Sequence, residues 1–172
     1  MRDLLSQSND NIKELYGNVW DLQRELNEQK QYIQRNNLIS HGWEDVPIAP
    51  LKYSQDFAEK FTEYVVGKLN NLFPEIKGGI TSKDIDDTHI YRTRTYDRNS
   101  SKQLVITRFC SRLMRNKIFS LKSKLKGTGC SITEHLTQFN LGLLKAAQKR
   151  LGDKKLAWTH YGKVLVKVGR SY

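Results

Sequence analysis

A chain of 172 residues has room for one ordinary domain, or for a long helix attached to a small two-part globule, and is too short for most large enzyme folds. With 38% hydrophobic and 27% charged residues, and three Trp, eight Tyr and six Phe, it carries enough apolar material for a modest core, which argues against a disordered chain. A formal net charge of +11 points to phosphate or another polyanion as partner, and the charge is unevenly placed. Residues 1–87 hold 10 Lys and Arg against 15 Asp and Glu, net −5, whereas residues 88–172 hold 19 against 3, net +16. Such a basic half implies an anion-binding face rather than a surface that is merely soluble. Cys110 and Cys130 are too few for a disulfide framework and read as reduced thiols of an intracellular protein, in the cytoplasm, the nucleus or both. The start, MRDLLSQSNDN, has no signal-peptide core and no later run reaches the length of a membrane span, so no membrane contact is expected.

In chain order, Leu5, Ile12, Val19, Leu26 and Ile33 fall seven apart, and Leu15 and Leu22 sit three beyond two of them. This a/d heptad predicts a coiled-coil oligomerisation helix over residues 1–36, imperfect because Ser8 and Gln29 hold the other d positions. A packed surface helix would show a broader stripe of period 3.6. An extended segment, NLISHGW, then opens a second region, followed by a loop at Pro47 and Pro50. Ser54 starts a helix with Phe57, Phe61, Tyr64, Val65 and Leu72 on one face, closed by Pro74. Strands are predicted at 88–94 and 103–109, then a helix over 112–126 with Met114, Ile118, Leu121 and Leu125 inward, and a fourth strand at 131–136. This order over residues 37–137 fits an α+β fold with a ferredoxin-like βαββαβ, or RRM-like, domain. Residues 138–172 read as a small C-terminal α+β lobe: a helix over 141–151 and a hairpin over 156–168 turning at Tyr161-Gly162.

The third strand carries Leu104 and Ile106 where an RNA-recognition fold places stacking aromatics, so backbone electrostatics must supply most of any affinity. Arg92, Arg94, Arg98 and Lys102 line the preceding loop, and Arg108 projects from the strand. Arg112, Arg115, Lys122 and Lys126 fall within about a quarter of an α-helix's circumference. No acid occurs between Asp97 and Glu134, whereas a solvated helix face mixes signs, so these residues predict a phosphate-tracking groove. Tyr91, Tyr96, Trp158 and Tyr161 are candidates for stacking on bases or for packing. The acids Asp84, Asp86 and Asp87 with His89 form one local cluster, which solvates a turn more readily than it builds a two-metal nuclease site. KGTGCS lacks the Lys-Ser/Thr of a P-loop, and His135 and His160 lack zinc spacing relative to the cysteines. No catalytic residue, metal or cofactor is expected.

With QRNNLISHGW after a heptad helix, then DIDDTHIYRT, KQLVITRF, GCSITEHLT and LAWTHYGKVLVKVG, the chain resembles the first-open-reading-frame protein of LINE-type retrotransposons and the related baculovirus few-polyhedra protein. The resemblance spans nearly the whole chain and rests on loose patterns. It implies a coiled-coil-driven homo-oligomer, a trimer in the retrotransposon proteins, whose RRM-like and C-terminal domains together wrap single-stranded RNA as a nucleic-acid chaperone. The shortness of the coil leaves a dimer as the alternative, and single-stranded DNA is the alternative strand. By that similarity the family's basic loop falls on Arg92, Arg94 and Arg98, and its basic position in the C-terminal helix on Lys145. One departure stands out: relatives often carry a basic residue after the Asn-Leu of the first strand, and here that residue is Ile39. The expectation is a non-enzymatic RNA-coating protein of a mobile element or virus, with little sequence preference. The alternative is a coiled-coil assembly factor whose basic face binds an acidic protein.

Overall fold

A computed structural model of the chain describes residues 2–47, 54–91 and 104–167, with side chains from residue 7 onward. The fold is mixed α+β: a long N-terminal helix, a four-stranded antiparallel sheet with helices, and a separate two-stranded sheet. Two compact units divide it, Arg35–His135 and Met1–Gln34 together with Leu136–Tyr172.

In the unit Arg35–His135, β1 (Asn37–His41), α2 (Gln55–Leu72), β2 (Ile85–Ile90), β3 (Val105–Phe109), α3 (Arg112–Ser120) and β4 (Ser131–Glu134) follow one another. The sheet order is β2-β3-β1-β4, and every neighbouring pair is antiparallel. Ser54 caps α2 by accepting from the Phe57 amide at 3.2 Å, which settles one of the amides that a helix start leaves without an intrahelical partner. The α2 stripe of Phe61, Val65 and Leu69 meets Leu38, Val105, Phe109 and Ile132 from the strands and Ile118 from α3 in one core, with Trp43 among them. Side chains alternate across a strand, so Leu38, Val105 and Ile132 face the helices, while Asn37, Ile39, Ile106 and Thr133 lie on the opposite face. Asn70 ties α2 to the chain before β2, accepting from the Ile80 amide at 2.7 Å and donating to its carbonyl at 2.8 Å. Gly42, with φ +74°, ends β1 where no side chain fits: a Cβ there would stand 2.1 Å from the Gly129 carbonyl oxygen.

Three sequence expectations shift here. The second strand is Ile85–Ile90, earlier than 88–94, with a bulge between Ile85 and Asp87. Residues 92–94 lie outside the described residues. The helix expected over 112–126 is α-helical only to Ser120 and continues as a 3₁₀ turn over Leu121–Leu125. The fourth strand ends at Glu134 rather than 136.

In the other unit, α1 (Arg2–Gln34) runs without interruption, and α4 (Gln138–Leu151) is followed by the hairpin of β5 (Ala157–His160) and β6 (Lys163–Val166). Thr137 caps α4 by accepting from the Asn140 amide, so the helix starts three residues before the apolar pattern suggests, and Gly152 ends it with φ +69°. Polar side chains join the two segments of this unit. Gln31 Oε1 accepts from the Thr137 amide at 2.9 Å and from Asn140 Nδ2 at 3.0 Å, and the Thr137 hydroxyl donates to Asn27 Oδ1 at 2.6 Å. Asn27 and Gln31 occupy positions b and f of the heptad, opposite the a/d seam. The C-terminal lobe is therefore attached to the back of α1; Leu26 borders the cleft between them, and the described seam residues keep about half of their surface exposed.

Candidate nucleic-acid interface

The seam residues Ile12, Leu15, Val19, Leu22, Leu26 and Ile33 are between 45% and 64% exposed, whereas the side chain of Leu5 lies outside the described residues. Six large aliphatic side chains in one line on a helix make an apolar strip of the kind that a second helix covers.

Of the basic residues singled out by sequence, Arg92, Arg94, Arg98 and Lys102 lie outside the described residues. Arg108 stands on the sheet face away from the helices and is half exposed, its Nε donating to Asp86 Oδ2 at 2.9 Å. Arg112 is exposed in the first turn of α3, and Lys126 is exposed just past the 3₁₀ turn. Lys122 is also exposed, with its ammonium 3.7 Å from the centre of the Phe119 ring, and partial desolvation there lowers its pKa. Lys124, next to it, is paired with Glu75.

Arg115 has to be removed from this set. It is 2% exposed, and its Nη2 donates to Glu134 Oε1 at 2.7 Å inside the unit. Its guanidinium also donates to Asn116 Oδ1 and lies 4.8 Å from the Phe119 ring centre. The reason is positional: Arg115 precedes the buried Ile118 by three residues and shares its inward face, while Glu134 follows the buried Ile132 by two. The change to 3₁₀ geometry after Ser120 also breaks the 100° steps that would align Lys122 and Lys126 with Arg112. Arg112, Lys122 and Lys126 thus remain as an exposed cationic segment without one shared helical stripe.

A second set of exposed cations lies on the other unit, where sequence reasoning named only Lys145. That residue is exposed on α4, and with it Lys149, Arg150, Lys154, Lys155, Lys163 and Lys167, all exposed. Residues 138–167 hold these seven cations against the single acid Asp153. This run of charge is visible in the sequence itself, outside the central strands.

On the sheet face away from the helices, Ile106 is only 1% exposed, so the position presents little surface to a base. Nearby, His41 is bonded to the Thr133 hydroxyl at 2.9 Å, and His135 Nδ1 to Asn37 Nδ2 at 3.1 Å. Burial lowers the pKa of both imidazoles, and the charge on His89 adds to the effect at His135. The acidic cluster is divided among separate partners. Asp84 accepts from the Thr81 amide and hydroxyl, Asp86 pairs with Arg108, and Asp87 pairs with His89. Among the described residues no group of three or more His, Cys, Asp or Glu side chains is placed to hold a metal ion, and no helix is long and apolar enough to cross a membrane. The chain matches no protein-family profile, and no curated protein matches it.

Proposed function

We propose that this protein is a homo-oligomeric, non-enzymatic binder and chaperone of single-stranded RNA, or single-stranded DNA, which it holds through the phosphate backbone with little sequence preference. The observation that carries the reading is the pairing of two features: a half-chain of net charge +16, and a helix whose apolar seam stays about half exposed, with a lobe attached to its back. A polyanion accounts for the first, and a second and third copy of α1 account for the second.

The unit Arg35–His135 is read as an RRM-like domain. Its order of strand, helix, strand, strand, helix, strand and the sheet order β2-β3-β1-β4, with β1 and β3 central, support that assignment. The buried Ile106 supports backbone contact over base stacking on this sheet. The division of Asp84, Asp86 and Asp87 among different partners supports the non-enzymatic reading. Together with the sequence resemblance, these features favour an RNA-coating protein of a retrotransposon or virus, acting in the cytoplasm or nucleus.

Electrophoretic mobility shifts on single- and double-stranded RNA and DNA test this. Tighter retention of single strands of unrelated sequence, lost steeply with added salt, is expected. No shift on any strand at low salt would overturn the proposal.

A further inference from the structure

We infer that the β5–β6 hairpin is a base-stacking site for single-stranded nucleic acid, where Trp158, His160 and Tyr161 receive unpaired bases and Lys163 an adjoining phosphate. The inference rests on the nucleic-acid reading above and adds a contact to bases that the central sheet lacks.

The pairing register sets Trp158 opposite Leu165 and His160 opposite Lys163, so these four side chains share one face of the hairpin. All four are exposed, and Trp158 is 44% so, whereas on the other face Ala157 is buried, Thr159 and Val164 are half-buried, and Val166 at the strand end is exposed. The outer face of a small antiparallel sheet ordinarily carries polar side chains, so an indole there is out of pattern. Residues i and i+2 of a strand stand about 7 Å apart, close to twice the roughly 3.4 Å rise per nucleotide, so the spacing of Trp158 and His160 suits a base between them.

The turn is unusual in the same direction. Tyr161 has φ +52° and Gly162 φ +76°, the two left-handed residues of a tight hairpin turn. Asn or Gly fits the first position without strain, and a bulky aromatic there is a rare choice. Tyr161 is nevertheless 52% exposed, with its ring 4.2 Å from that of His160. Residues held in sparsely populated backbone regions cluster at ligand-binding and active sites, and Tyr161 is one of them. The tip is also fixed in place. Asn140 Nδ2 donates to the Gly162 carbonyl at 2.9 Å, and a Cβ on Gly162 would meet Gln31 Nε2 at 2.6 Å. Rings on an anchored turn are presented without an ordering penalty on binding.

Charge selects the occupant. With seven exposed cations against one acid over residues 138–167, two copies of this lobe repel each other, while a strand that carries both phosphates and flat bases complements it.

The test compares a short oligouridylate with an abasic strand of equal length, using the full chain and fluorescence anisotropy. Wild type should prefer the base-bearing strand. Trp158→Ala should weaken oligouridylate binding by roughly 5- to 150-fold, with the salt slope and abasic binding unchanged, and Trp158→Phe should retain most of the affinity. Tyr161→Asn separates binding from folding, since it relaxes the turn: thermal stability should hold or rise while oligouridylate affinity falls. If both variants bind oligouridylate as wild type does, the inference is overturned and backbone binding stands. If wild type binds neither strand, the underlying reading fails as well. Should Trp158→Ala change the sedimentation of the protein and leave binding intact, the face is a subunit contact and the inference is again overturned.

Discussion

Replacing Arg115 by Met separates a structural guanidinium from a phosphate-binding one. The Arg115 and Glu134 side chains are 3% and 1% exposed, so water does not screen the charge left behind when one partner is removed. Breaking a buried pair of this kind destabilises by about 3–5 kcal/mol, a large share of the roughly 5–15 kcal/mol that holds a domain together. At about 4–8 °C per kcal/mol for a unit of this size, the melting midpoint should fall by tens of degrees. The substitution also removes the bond to Asn116 and the contact with the Phe119 ring, which places the loss toward the upper end. Adding Glu134→Leu should recover most of it, because a well-packed apolar pair replaces a buried ion pair at little net cost. Thermal and urea denaturation followed by circular dichroism read the stability, and RNA affinity is measured where the single variant is still folded. There the affinity should equal that of wild type. An Arg115→Met protein with unchanged stability and weakened RNA binding would refute the reasoning and return the guanidinium to the surface.

Val19→Asp combined with Leu26→Asp places two carboxylates in the apolar seam, and light scattering should then report a monomer whose C-terminal lobe and central sheet remain folded; a wild-type protein that is itself monomeric would remove the seam from the account. Acid should destabilise the unit Arg35–His135 through His41 and His135. Burial lowers both folded-state pKa values below the usual 6.5, so as pH falls past 6.5 the unfolded chain binds protons that the fold does not, and stability declines until the folded values are reached. His89 and Asp87 on β2 and Arg108 on β3 belong to the same sheet and are retained in the comparison. His41→Gln with His135→Gln should flatten denaturation midpoints compared at about pH 7.5 and 5.5, and an equally steep decline in that variant would assign the effect to other groups.

Much of the architecture was legible because it is written locally. The Ser54 cap, the seven-residue spacing from Leu5 to Ile33 and the glycine of the Tyr161-Gly162 turn each act within a few residues of chain, and each marks a real element. What was not legible depends on partners distant in sequence. Asn27 and Gln31 look like ordinary solvated positions on the back of a heptad until Thr137 and Asn140, more than a hundred residues later, arrive to bond them. Arg115 reads as surface charge on composition alone, since most arginines are exposed. Only its three-residue offset from Ile118, and the offset of Glu134 from Ile132, give the pair away. Counting helical angles through Leu121–Leu125 failed because the chain tightens to 3₁₀ geometry there. On the hairpin, sequence left Trp158 and Tyr161 equally suited to packing or stacking, and in the structure each is about half exposed, with the Tyr161 ring against that of His160.

The central claim, that the basic half of the chain neutralises phosphates of a single strand, is tested most directly by the salt dependence of RNA binding. Anisotropy titrations of unrelated single-stranded RNAs at several salt concentrations would compare wild type with an Arg92→Ala, Arg94→Ala, Arg98→Ala variant. Each phosphate contact on a single strand contributes about 0.7 to the slope of log affinity against log salt, so three lost contacts should flatten it by roughly two units, similarly for every sequence. A folded, oligomeric variant with unchanged affinity and slope would contradict the account and show that this charge serves another partner.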